Sequence, residues 1–79
     1  MRPGRLNKPH PVPVQVGADG TPRALGRLQV DAVREEWLVE DGWWTRRPLH
    51  RRYFELALED GSVAVVFCDP TGRWFRQRD

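Results

Sequence analysis

The sequence is poor in the residues that most often carry chemistry. It has one cysteine, Cys68, two histidines, His10 and His50, and a single lysine, Lys8, among 79 residues. One cysteine excludes an internal disulfide and suits a reducing compartment better than a secreted framework. Two histidines forty positions apart and a lone thiol do not supply a zinc ligand set. No apolar run approaches the roughly 20 residues that span a bilayer. The opening MRPGRLNKPHPVPV is basic but has no apolar signal core. A cytoplasmic protein with no cofactor and no metal is the expectation. No glycine-rich phosphate loop is present either, since Gly17 and Gly20 bracket a hairpin rather than open a helix.

What is present is arginine and tryptophan. Twelve of the thirteen cations are arginine, and the net charge is only +2. A chain of this length makes one domain whose core is small, burying about 60% of the unfolded surface. Without a staple, pairing into a homodimer is the remaining way to add stability. Residues 1–11, with Pro3, Gly4, Pro9 and Pro11, read as a flexible N-terminal arm, and 12–79 as a single β domain. Val12, Val14 and Val16 alternate with Pro13 and Gln15, a strand that Pro13 restricts to a sheet edge. Asp19-Gly20 is a hairpin signal, and a short strand follows over 22–25.

Residues 30–40 admit two readings. Leu28, Val30 and Ala32 alternate, and the apolar phase then jumps to Val33, Trp37 and Val39. One extra residue near Ala32 and Val33, a β-bulge, would restore the inward face. Alternatively Val30, Val33 and Trp37 fall at helical spacing behind a cap at Asp31. Downstream the pattern is plainer. Arg51 to Leu58 alternates, with Phe54, Leu56 and Leu58 on one face and Tyr53, Glu55 and Ala57 on the other. Ser62 to Cys68 is apolar on both faces, and Asp69-Pro70-Thr71-Gly72 turns the chain into a final strand over 73–78. The sum is an all-β fold: a small curled antiparallel sheet or partial SH3-like barrel of five to six strands.

The segment EWLVEDGWWTRRPLHRRYFELALEDG, from Glu36 to Gly61, concentrates the rings and guanidinium groups that dominate recognition surfaces. Adjacent tryptophans on a strand face opposite ways, so one of Trp43 and Trp44 lies outside the core and marks a partner site. The candidate contact residues are Trp43, Trp44, Arg46, Arg47, Arg51, Arg52, Trp74 and Arg76, brought to one side if the last three strands form a meander. Such a face suits a protein partner, or single-stranded DNA with rings stacking on bases and arginines on phosphate. The alternative assigns Trp37, Phe54, Phe67 and one of Trp43 and Trp44 to the core, with the arginines paired to acidic turns. A catalytic Cys68–His50 pair has no supporting signature, and no catalytic residue is assigned; the expectation is a non-enzyme.

The runs VxAVREEWxVEDGWW, RRYFELxLEDG and VVFxDxTGRWFRQR, preceded by HPVPVQVGADGTPRAL, resemble the C-terminal module of ImuB-type Y-family DNA-polymerase homologues and a related stand-alone uncharacterised domain family. The resemblance covers residues 11–79 and is structural rather than catalytic, since the polymerase palm with its metal-binding carboxylates is absent. It implies a small accessory β module of bacterial mutagenic translesion DNA synthesis. Its implied partner is a polymerase-like protein of that system, or DNA.

Overall fold

A computed structural model describes residues 9–41 and 49–77. All regular structure among them is β: β1 (His10–Pro11), β2 (Val14–Val16), β3 (Pro22–Leu25), β4 (Leu28–Asp41), β5 (Leu49–Leu58), β6 (Val63–Cys68) and β7 (Trp74–Gln77). Every neighbouring pair is antiparallel, in the order β1-β7-β6-β5-β4-β3-β2. The two ends of that order are consecutive in sequence. Val12 donates its N–H to the Trp74 carbonyl at 3.1 Å, and Pro13 accepts from the Gly26 N–H at 2.9 Å. One extended segment thus ties both ends of the sheet and curls it into a half-barrel. No helix among the described residues is long and apolar enough to cross a membrane.

Three hairpins share one turn. Gly20, Gly61 and Gly72 take φ of 83°, 88° and 89° and donate their N–H to the carbonyls of Gly17, Leu58 and Asp69. A type I turn closed by a residue in the left-handed region is a common hairpin loop, and glycine occupies that region without a Cβ clash. An aspartate braces each loop: Asp19 accepts from Thr21 N–H at 3.0 Å, Asp60 from Ser62 N–H at 2.9 Å, and Asp69 from Thr71 N–H at 2.9 Å and Arg73 N–H at 3.0 Å. The Thr21 N–H at Asp19, and at Asp60 and Asp69 first the Ser62 and Thr71 hydroxyls at 2.6 Å and then the turn N–H groups, hold these carboxyls below the usual aspartate range.

The core fills the concave face. Leu25, Phe54, Leu56, Leu58, Ala64 and Val66 are buried there, with Val12, Val14, Leu28, Val30, Val33 and Trp74 packed around them. The alternation read from β5 holds and extends across the sheet: Phe54 pairs with Val66 and Val66 with Arg76 on one face, while Tyr53, Phe67 and Phe75 align on the other.

Three expectations need correction. First, residues 30–40 are strand, with two bulges rather than one: the pairing skips Asp31 and again Arg34. The first skip keeps Val30 and Val33 inward. The second reverses the phase, so Trp37 and Val39 turn to the convex face and Trp37 is 37% exposed instead of core. Second, His10 and Pro11 do not belong to a free arm. They pair with Arg76 and Phe75, at an edge where a proline nitrogen is tolerated. Third, the all-β curled sheet is as expected, but it has seven strands rather than five or six, because His10–Pro11 adds one ahead of the strand read from Val12 to Val16.

Candidate functional site

Of the eight contact residues expected from sequence, Trp43, Trp44, Arg46 and Arg47 lie outside the described residues. The other four do not share one face. Arg51 is convex-side: its guanidinium carbon sits 4.5 Å from the Phe67 ring centre, and its Nη1 donates to Tyr53 Oη at 3.3 Å. Arg52, Trp74 and Arg76 are concave-side, because Arg52 pairs across with Cys68, Cys68 with Trp74, and Arg76 with Val66. Neighbouring residues on a strand must point opposite ways, so Arg51 and Arg52 divide between the two surfaces.

On the convex face, cross-strand register lines up Trp37, Tyr53, Phe67 and Phe75 over four strands. Trp37 and Tyr53 stack at 5.3 Å with planes 11° apart, Tyr53 and Phe67 lie 4.9 Å apart, and Phe67 and Phe75 stack at 5.2 Å. Such ring pairs each contribute about 0.5–1.5 kcal/mol beyond area burial. Arg73 caps the far end, 5.9 Å from the Phe75 ring centre. Phe67, at 2% exposure, is buried inside the row, whereas Trp37 at its β4 end is open. One register step away, Glu35 stands directly opposite Glu55. Among the described residues no cation lies within ion-pair distance of either.

On the concave face, a cleft of about 470 Å³ opens between β2 with its following turn and the distal half of β4. Val16, Leu38, His50, Arg52, Cys68 and Trp74 are among the residues that line it. Arg52 is already committed: Nε and Nη2 both reach Glu36 Oε2 at 2.6 Å, and its guanidinium lies 5.0 Å over Phe54. The Gly20 turn closes down beside it, since a Cβ on Gly20 would lie 3.4 Å from Arg52 Nη1. His50 faces Glu40 across the strands, Nδ1 to Oε2 at 3.6 Å.

Cys68 and His50 therefore share a cleft, but they are not arranged as nucleophile and base. The Cys68 thiol donates to the Asp69 carbonyl at 3.4 Å. Burial pushes its pKa up, the Asp69 charge adds to this, and Arg52 opposes it. A catalytic thiol needs the reverse shift. Among the described residues, no group of three His, Cys, Asp or Glu side chains could hold a metal ion.

Sequence reasoning missed the part of the surface that is most open. Among the described residues, β4 is bonded to β5 alone from Val30 onward, because β3 pairs only with Leu28 and Gln29. On this bare edge Trp37 projects to one face and Leu38, 66% exposed, to the other. Trp37 and Leu38 are adjacent in sequence, but the lack of a neighbour strand among the described residues is a property of topology. No protein-family model matches the chain, and neither a curated protein nor a solved structure matches it.

Proposed function

We propose that this domain is a non-enzymatic protein-interaction module of the bacterial translesion-synthesis machinery, working in the cytoplasm by contacting a polymerase-like protein of that system. The pathway rests on the resemblance of its three sequence runs to the C-terminal module of ImuB-type proteins. The binding role rests on one observation: the β4 edge, which no described strand covers beyond Gln29, carries Trp37 and Leu38, two large exposed apolar side chains, back to back. Large apolar groups at an unpaired strand edge are costly to leave in water and invite association.

Single-stranded DNA binding draws on the guanidinium–ring contacts of Arg51 and Arg73. It is the weaker reading. Base stacking needs free ring faces, and here Tyr53 packs tilted against Phe67 while Phe67 and Phe75 stack. Arg52 is neutralised by Glu36, and the open edge is acidic rather than basic.

The test is a pair of titrations at low and physiological salt, one with a purified polymerase-like protein of the translesion system and one with a short single-stranded oligonucleotide. Saturable binding to the protein with shallow salt dependence is expected. Oligonucleotide binding that weakens steeply with salt, with none to the protein, would overturn the proposal, because phosphate contacts release counterions.

A further inference from the structure

The protein-binding role proposed above leaves open how the partner is held. The β4 edge supplies a mode of binding, and that mode rests on the same protein-binding role. Beyond its two bulges, β4 pairs one-to-one with β5 from Glu35↔Glu55 to Asp41↔Leu49. This stretch is regular strand, with every second backbone N–H and C=O directed away from β5 toward an edge that no described strand covers. Proteins blunt such edges with proline, lysine or bulges. Between Glu35 and Asp41 there is no proline, no lysine and no register shift.

The side chains along this edge specify an occupant. Between Asp31 and Asp41 stand five acids, Asp31, Glu35, Glu36, Glu40 and Asp41, against one cation, Arg34. Glu36 and Glu40 have partners in Arg52 and His50, but Glu35 faces Glu55. Like charges directly opposite on a sheet are destabilising, and a cation brought to them removes that cost. The neighbouring Trp37 ring offers the same cation a second attraction. On the other face, Leu38 and Val16 border a cleft deep enough to take apolar side chains. A second copy of the chain fits less well, since antiparallel β4–β4 pairing centred on Leu38 would set Glu36 against Glu40. Phosphate is repelled for the same reason.

We infer that β4 binds an extended partner segment by strand addition, and that the segment alternates cationic with large apolar side chains. The cationic positions lie over Trp37 beside Glu35 and Glu55. The apolar positions turn inward against Leu38 and Val16. Main-chain hydrogen bonds to the β4 edge supply affinity, and the alternation supplies register.

The probe is a short capped peptide in which arginine and valine alternate, with binding read by amide NMR shifts and hydrogen exchange of the whole domain. Saturable binding is expected, with exchange slowed at alternate residues of 35–41. A peptide alternating glutamate and valine should bind at least about tenfold more weakly, a difference of about 1.4 kcal/mol. The arginine–valine peptide with every backbone amide N-methylated should not bind. Glu35→Gln should weaken binding of the arginine peptide while leaving the fold intact. No binding, equal binding of the two charge types, undiminished binding of the N-methylated peptide, or shifts away from β4 would each overturn the inference. If the polymerase-like protein binds and Trp37→Ala abolishes that binding while the peptides fail, strand addition falls and the protein-binding role stands. If the arginine peptide binds at β4 and the polymerase-like protein does not bind, the edge site stands and the assigned partner falls.

Discussion

Two leucines test the architecture by the same substitution. Leu56 is 0% exposed in the concave core, and Leu38 is 66% exposed on the β4 edge. Truncating a fully buried leucine to alanine costs about 2–5 kcal/mol, combining lost transfer energy with the cavity left behind. A domain of this size has a total stability of about 4–12 kcal/mol at the usual per-residue value, so Leu56→Ala removes a large part of it. Leu38 keeps only about a third of its surface from water. Full burial of a leucine is worth about 1.5–3 kcal/mol, so Leu38→Ala costs about 1 kcal/mol at most. Urea unfolding separates the two. With a slope near 1 kcal/mol per molar, typical of the smallest domains, the midpoint falls by about 2 M or more for Leu56→Ala. For Leu38→Ala the fall is below about 1 M. Should Leu56→Ala fail to fold, Leu56→Met keeps the comparison usable, with a cost below about 1.5 kcal/mol. Equal losses from the two alanine variants would refute the reasoning, because Leu38 would then be covered in solution and the β4 edge would not be bare.

The turns and the cleft carry further expectations. Gly72 has φ of 89°, so Gly72→Ala should destabilise by about 1–2 kcal/mol in thermal melts, and an unchanged melting temperature would contradict the left-handed turn. Asp19, Asp60 and Asp69 are held below their unfolded value of 3.8 by turn hydrogen bonds. Their stabilisation is therefore complete above that pH and lost as pH falls through the lower folded values. Asp69→Asn should flatten the acid side of the stability profile, and an unchanged profile would count against the bracing role. The Cys68 thiol, raised by burial and Asp69, should react with iodoacetamide at neutral pH more slowly than an unstructured cysteine peptide; faster reaction would revive a Cys68–His50 site.

Local chemistry was legible and register was not. The turns at Asp19-Gly20 and Asp69-Pro70-Thr71-Gly72 could be read because they carry their own geometry in adjacent residues. The faces of β5 could be read because burial follows simple alternation over 53–58. The second bulge at Arg34 could not, since nothing in VREEW distinguishes a skipped arginine from a paired one. That single skip moved Trp37 from the expected core to the surface. The candidate residues failed to share a face for a related reason. Side-by-side cations such as Arg51 and Arg52 look like a cluster in sequence, but the pleat sends them apart. The alignment of Trp37, Tyr53, Phe67 and Phe75, and the absence of a described strand beyond Gln29 along β4, depend on pairings between distant segments. Alternation along one strand does not encode them.

Protein binding at the β4 edge is the centre of the functional proposal. Calorimetric titration of the polymerase-like protein with the native domain and with a Trp37→Ala/Leu38→Ala double variant tests it most directly. Both changes fall on exposed side chains, so circular dichroism and unfolding should show a folded variant. Saturable binding by the native domain, weakened at least about tenfold in the variant, is the predicted result. Equal affinity of the two forms would contradict it.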